Sequence, residues 1–379
     1  MSEQMDQKAE HVITQVESLP GLIRDEFETI DMRVRRLLNH NELLSVKRIV
    51  ITGCGDSHMA GLATELAFEE LAGIPVEPMT SMQSGRYASP HFDKMFPRNP
   101  LVIGISVSGT VARTREAVAL ARKNGALTVA MTANPDAPLA GAAELMLDCT
   151  VPASVPAPGI RSYRVSLMML YLLAIHLAEV NGRITQDQAN VMRQQLKGTA
   201  DAIEATIGAI QDRTRELANA VADQKNFVFV GDGPNYATAL FSAAKIIEAA
   251  GRHAMGQDTE EWAHLQYFVN VDPATPTFII SPNERGYSRA EELVDVMNRI
   301  GRTLVAVVPE GETAIAGRAD WVLPVVGDIP EIFTPMVYPV AAELVSGYLS
   351  MATGEPPFRG FSDEYVPGGT TIRNSAVVG

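Results

Sequence analysis

The sequence predicts an α/β protein of two related domains, each a parallel, doubly wound sheet of the flavodoxin-like kind flanked by helices, joined by a helical connector. Two observations carry this reading. Short β-branched apolar runs alternate with longer helix-like segments, as parallel strands with crossover helices do. The alternation also occurs twice at a nearly constant offset: Gly53 to Gly231 is 178 residues, Ser106 to Ser281 is 175 and Ala143 to Ala319 is 176. An internal repeat is the economical explanation.

In the first half KRIVITG (47–53), LVIGIS (101–106), LTVAM (127–131) and ELMLDC read as strands, with helices from Ser57 to about Leu71 and from about Val111 to Lys123. In the second half NFVFVG (226–231), TFIIS (277–281), TLVAVV (303–308) and DWVLPV repeat the pattern, with helices running to about Ala250 and around 288–299. From about Arg183 to Gln224 a proline-free Gln/Arg/Ala-rich segment has helical periodicity and reads as the connector. The predicted organisation is an N-terminal helical segment at 1–45, a first domain at 46–182, the connector at 183–224, a second domain at 225–354 and a tail at 355–379.

A length of 379 residues with 46% hydrophobic and 20% charged residues suits two globular cores. The formal charge of -14 opposes binding to nucleic acid or to an acidic membrane surface, and no Lys/Arg-rich block offsets it. The first residues lack a signal-peptide pattern, and the most apolar stretch, Val165 to Ile175, is short for a membrane span and reads as a buried core helix. Cys54 and Cys149 are the only cysteines, without metal-ligand spacing, so a reducing cytoplasm and no metal or cofactor are expected.

Where LVIGIS ends, Ser106-Val107-Ser108-Gly109-Thr110 precedes a helix start. Free backbone N–H groups there, with hydroxyls and a glycine that permits close approach, form a phosphate cradle. Residues 101–115 carry no Asp or Glu but do carry Arg113 and Arg115. The competing reading is that Ser108 or Thr110 only caps the helix. The matching second-half position, Ser281-Pro282-Asn283-Glu284-Arg285, loses a donor to proline and gains a carboxylate, so one phosphate site per chain is expected. The turn Gly53-Cys54-Gly55-Asp56-Ser57 lacks the GxGxxG nucleotide fingerprint. Gly55 would admit a ligand to the backbone and Ser57 would offer a hydroxyl, unless the turn is only a capped helix start.

In the second half Lys245 and Glu248 stand three apart on one helix face. That spacing also fits a surface ion pair worth about 0.2–0.5 kcal/mol. Thr259-Glu260-Glu261-Trp262-Ala263-His264 comes next, and a histidine that reaches a carboxylate can exchange protons near neutral pH.

These residues resemble the isomerase half of glucosamine-6-phosphate synthase and its free-standing relatives among sugar isomerase (SIS) domain proteins. Cys54-Gly55-x-Ser57 is similar to that family's CGTS turn, Ser106-x-Ser108-Gly109 to its SQSGET phosphate loop, and Gly231 to His264 aligns without a gap. The resemblance implies a phosphosugar isomerase or deaminase working at C1 and C2 of a sugar 6-phosphate or amino-sugar 6-phosphate through an enediol or imine. In it Glu248 would shuttle the proton, His264 would assist ring opening and Lys245 would stabilise charge near O1/O2. It also implies ligand contacts from Ile160, Arg161 and Glu261, a homodimer whose sites share His264, and a tail that closes over the active site.

The departures bear on substrate. No glutaminase domain or N-terminal cysteine nucleophile is expected, Val107 stands for Gln, Val111 for Thr, Gly159-Ile160-Arg161-Ser162-Tyr163-Arg164 for GVASTK, and Leu265-Gln266 for Gly-Pro. No lysine occurs after Lys245, and Arg373 lies near the family's tail lysine but cannot form its imine. Fructosamine-6-phosphate deglycase and sulfosugar isomerase remain open within the same chemistry, with a phosphorylated or sulfonated sugar as partner. A non-catalytic sugar-phosphate sensor and a nucleotide-binding dehydrogenase are the readings of another class; the retained Lys245, Glu248 and His264 oppose the first and the missing GxGxxG the second.

Overall fold

A computed structural model of the chain describes residues 8–92, 98–269, 271–358 and 377. The described chain forms two compact units. One comprises Ile23–Ala153 with Ser162–Lys197, the other Met1–Leu22, Ser154–Arg161 and Gly198–Thr370, as far as the described residues extend.

The first unit holds β1 (Ile49–Gly53), β2 (Val76–Thr80), β3 (Leu101–Ile105), β4 (Leu127–Thr132) and β5 (Leu145–Asp148); the second holds β6 (Asn226–Gly231), β7 (His253–Gln257), β8 (Pro276–Ile280), β9 (Thr303–Pro309) and β10 (Trp321–Val325). The sheet orders are β2-β1-β3-β4-β5 and β10-β9-β8-β6-β7, which are one connectivity read from opposite edges. Every pair in both sheets is parallel. This is the flavodoxin-like order, and the internal repeat extends to topology. The central β1, β3 and β4 are buried throughout, which is why they read as unbroken apolar runs.

In each sheet the chain leaves two adjacent strands in opposite directions, β1 beside β3 and β6 beside β8. The crevice beyond the carboxyl ends of such a pair is where doubly wound sheets take ligands. The turns singled out in the sequence lie at these ends.

In the second unit the helix Pro234–Ala250 starts with proline in its first turn after Gly233 and stops at the left-handed Gly251 (φ 60°), whose N–H returns to the Ile247 carbonyl. It packs on β6, on β7 and on the helix Val340–Thr353. The connector appears as the helix Gln186–Ala220.

Two helical stretches, Ile160–Val180 and Glu331–Thr353, are long and apolar enough to cross a membrane, but 89% and 94% of their most apolar windows are buried inside the fold. The stretch around Val165 is therefore part of a longer helix than its run of apolar residues suggests, and it is a core helix.

Candidate active site

At the β1/β3 end of the first unit, the loop 106–110 is fixed by β4 and by residues 133–139 beyond it. Ser106 N–H donates to Met131 O (3.1 Å), Ala133 N–H to Val107 O (2.9 Å), Thr132 Oγ1 to Val107 O (3.1 Å) and Leu139 N–H to Gly109 O (3.1 Å). Gly109 has φ +65°, and a Cβ there would lie 2.3 Å from the Ala137 Cβ and 2.8 Å from Thr132 Oγ1. Glycine is required for both reasons.

The helix Ala112–Lys123 has Val111 at its N-cap and no side-chain cap, so neither Ser108 nor Thr110 is spent in capping. Their hydroxyls, both on exposed residues, lie 2.9 Å apart. The buried Ser106 Oγ has no hydrogen-bond partner among the described residues. Val107 is half-buried between these hydroxyl residues.

The positive charge beside the loop is more balanced than residues 101–115 suggest. Glu116, one position further and 2% exposed, pairs with Arg113 and with Arg86, whose Nε lies 2.8 Å from Oε1.

The neighbouring turn is equally constrained. A Cβ at Gly53 would lie 2.5 Å from the Ser57 Cβ, and Gly55 (φ +57°) is the N-cap of the helix Asp56–Ala67, on which Ser57 is half-buried. A polar cluster not anticipated from sequence ties this turn to the helix Ala112–Lys123: Ser81 Oγ lies 3.0 Å from Thr114 Oγ1, and Cys54 Sγ lies 3.4 Å from Ser81 Oγ and 3.8 Å from Thr114 Oγ1.

In the second unit the Lys245 ammonium donates to Glu248 Oε2 at 2.5 Å, with the side chains 1% and 28% exposed. The ammonium also lies 4.6 Å from the Phe241 ring centroid. The pair is not the solvated surface contact its spacing allows. The Glu248 backbone carbonyl accepts from Phe358 N–H (2.8 Å), so the chain returns to the helix Pro234–Ala250 near the start of the tail.

Asp232, in the turn after β6, accepts from Thr259 N–H (3.0 Å) and Oγ1 (2.9 Å) and so anchors the helix Thr259–His264. Burial pushes its carboxyl pKa up, against the lowering effect of the Thr259 hydrogen bonds. The His264 side chain is 67% exposed, with Nδ1 2.9 Å from Glu260 O and 3.4 Å from Glu260 Oε1. Glu261 is exposed, and its N–H donates to the capping Asp258 carboxylate (2.9 Å). In the second-half loop Asn283 is left-handed (φ 60°), and Arg285 pairs with Glu331 at 3.1 Å.

Ile160 is fully buried at the start of its helix. Arg161 donates from its backbone to Gln15 Oε1 (3.3 Å) and from Nη1 to Ser18 Oγ (2.8 Å). Arg373 and most of the tail lie outside the described residues. No group of three or more His, Cys, Asp or Glu with metal-site geometry occurs among the described residues.

Two parallel sheets of one topology, each with strand-end turns at its switch point, define a tandem doubly wound α/β protein. The chain belongs to the SIS domain family, whose model matches residues 42–176 and 220–352. It is 26% identical over 347 residues to the glutamine–fructose-6-phosphate aminotransferase (isomerizing) of Gloeobacter violaceus, covering 90% of this chain and 56% of that one. The enzyme of the same name from Zymomonas mobilis is 25% identical, with 83% and 50% covered. The chain thus spans about half the length of the curated relatives it matches.

Among solved structures, the C-terminal domain of glucosamine-fructose-6-phosphate aminotransferase from Francisella tularensis superposes with a TM-score of 0.76 at 17% identity, covering 92% of this chain and 97% of that one. Glucosamine-6-phosphate deaminase from Thermotoga maritima gives 0.67 at 16% identity, with 92% and 97% covered. These likenesses support the fold.

Proposed function

We propose that this protein is a cytoplasmic phosphosugar isomerase or amino-sugar deaminase that moves a proton between C1 and C2 of a sugar 6-phosphate through an enediol or imine. The observation that carries the proposal is the Lys245–Glu248 pair, in which a buried ammonium faces a carboxylate that keeps partial access to solvent. Proton shuttling needs a carboxylate close to the carbon acid, and a neighbouring cation stabilises the oxyanion that develops at O1 or O2.

In this reading the loop Ser106–Thr110 holds the phosphate through backbone N–H groups and the Ser106, Ser108 and Thr110 hydroxyls, with Gly55 and Ser57 supplying the adjacent turn. Glu248 is the acid–base, Lys245 the electrostatic partner and His264 the group that assists ring opening. Ile160, Arg161 and Glu261 contribute sugar contacts, and the tail closes the site, beginning at the Phe358–Glu248 hydrogen bond. A homodimer in which His264 serves the neighbouring chain's site is consistent with its 67% exposure and with its partner lying on its own helix.

The test is turnover. The protein is incubated with ketose, aldose, amino-sugar and fructosamine 6-phosphates and with sulfoquinovose, with and without ammonium, and products are identified by NMR. Conversion of a 6-phosphate at C1/C2 supports the proposal, and the ammonium requirement separates isomerase from synthase-like chemistry. Binding of a sugar phosphate without conversion of any compound contradicts it and favours a sensor.

A further inference from the structure

The helix Thr259–His264 has six residues, too few to be stable alone, and the rest of its unit holds it at both ends and along one face. At its start Asp232 accepts from Thr259 N–H and Oγ1. Trp262, fully buried, packs in a core cluster with Val230, Ile279 and Leu293. Just beyond its end the buried guanidinium of Arg302 donates to the Gln266 carbonyl (3.3 Å). His264 stands two positions after Trp262, about 200° around the helix axis. The packing that buries the indole therefore turns the imidazole outward, and its side chain is 67% exposed.

One nitrogen of that imidazole is already engaged. Nδ1 lies 2.9 Å from the Glu260 carbonyl oxygen and 3.4 Å from Glu260 Oε1. A carbonyl oxygen can only accept a hydrogen bond, so the contact requires the proton on Nδ1. Nε2 then carries the lone pair, and it makes no hydrogen bond among the described residues. The carboxylate is itself held from the neighbouring helix Tyr287–Arg299: Arg289 Nε lies 2.9 Å from Glu260 Oε2, and Arg289 Nη1 donates to Glu292 Oε2 (2.7 Å). An exposed contact of this kind adds little to stability. Its effect is on the ring, for which it selects one tautomer and one orientation.

We infer that Glu260, braced by Arg289, is the positioning residue of His264, holding it as the Nδ1–H tautomer with Nε2 as the atom that exchanges protons with the sugar. The inference rests on the proposed role of His264 in ring opening. There Nε2 takes the proton of the anomeric hydroxyl, the bond from the anomeric carbon to the ring oxygen breaks as the carbonyl forms, and Nε2 returns the proton to the ring oxygen. The imidazolium that exists between the two transfers faces the Glu260 carboxylate through its Nδ1–H, as the histidine of a Ser-His-Asp triad faces its aspartate. Glu260 and Arg289 act through His264 and do not touch the sugar.

The test is ¹⁵N NMR of histidine-labelled protein in mildly alkaline solution, with the His264 signals assigned by their loss in His264→Gln. The wild type is expected to show a protonated Nδ1 and an unprotonated Nε2. In Glu260→Ala a mixture of the two tautomers is expected, and kcat for a ring-forming ketose 6-phosphate is expected to fall at least about tenfold with KM little changed. Glu260→Gln, which keeps an acceptor for Nδ1–H, is expected to recover most of both. An Nε2–H tautomer in the wild type overturns the inference, as does a Glu260→Ala protein whose spectrum and kcat match the wild type. If the wild type has the Nδ1–H tautomer but His264→Gln turns over sugar phosphate at the wild-type rate, the proposed role of His264 falls, and with it the proton exchange at Nε2, while the hold of Glu260 on the ring stands.

Discussion

The ammonium of Lys245 and the carboxylate of Glu248 meet at 2.5 Å on one helix face, the lysine almost wholly out of water and the glutamate only partly so. That asymmetry separates their roles. The proposed roles follow it: a buried cation stands beside a carboxylate that solvent can reach. Replacing Glu248 with Ala removes an acceptor from a buried ammonium, so a loss of about 1–3 kcal/mol is expected, read as a lower Tm. Glu248→Gln keeps a carbonyl acceptor and is expected to melt closer to the wild type.

Thr114 should act as a positioning residue for the phosphate-loop half. Its hydroxyl, fully buried in the first turn of the helix Ala112–Lys123, meets Ser81 at 3.0 Å and thereby links the Cys54 turn to the helix that follows the 106–110 loop. Thr114→Val keeps the volume and loses the hydroxyl, at about 0.5–1.5 kcal/mol of stability. The substrate KM is expected to rise severalfold with kcat little changed, and Thr114→Ser is expected to restore it. Steady-state kinetics on the three proteins check this.

Gly109→Ala should disable the phosphate loop. A Cβ at this left-handed position would meet Ala137 and Thr132 inside van der Waals contact, so the loop must shift. A strain of about 1–2 kcal/mol and the displaced donors together imply at least about a tenfold loss of sugar-phosphate affinity. Calorimetric titration measures it.

The two cysteines should differ in reactivity. Cys149 is buried, and burial, with the Asp148 charge beside it, pushes its thiol pKa up to about 12. Cys54 is exposed in the turn beside Ser57. An alkylating reagent at neutral pH is expected to modify Cys54 alone in the folded protein and both after unfolding. Bound sugar phosphate is expected to slow labelling of Cys54. Peptide mapping by mass spectrometry reads both results.

The central strands were legible because β1, β3, β4 and their second-half counterparts are buried on both faces and must be written in Val, Ile and Leu. The edge strands β2 and β7 were not read. Val76–Thr80 carries Pro78 and Glu77 and is mostly half-buried, and His253–Gln257 carries Gly256, where a Cβ would lie 2.5 Å from Leu240 N. Such sequences lack the period of a strand and form one by tertiary pairing. Lys245 and Glu248 were visible through their spacing, but their burial was not. The Cys54–Ser81–Thr114 cluster joins residues 27 to 60 positions apart, and no local pattern announces it.

The claim that Glu248 is the proton shuttle is tested most directly by hydrogen–deuterium exchange at C1 and C2 of a bound sugar 6-phosphate in D2O, tracked by NMR for the wild type and for Glu248→Gln. Deuterium is expected to enter with the wild type. The variant is expected to bind the sugar phosphate with unchanged affinity and to exchange about 10²–10⁴-fold more slowly. Exchange by Glu248→Gln at the wild-type rate would contradict the assignment and move the acid–base role to another residue.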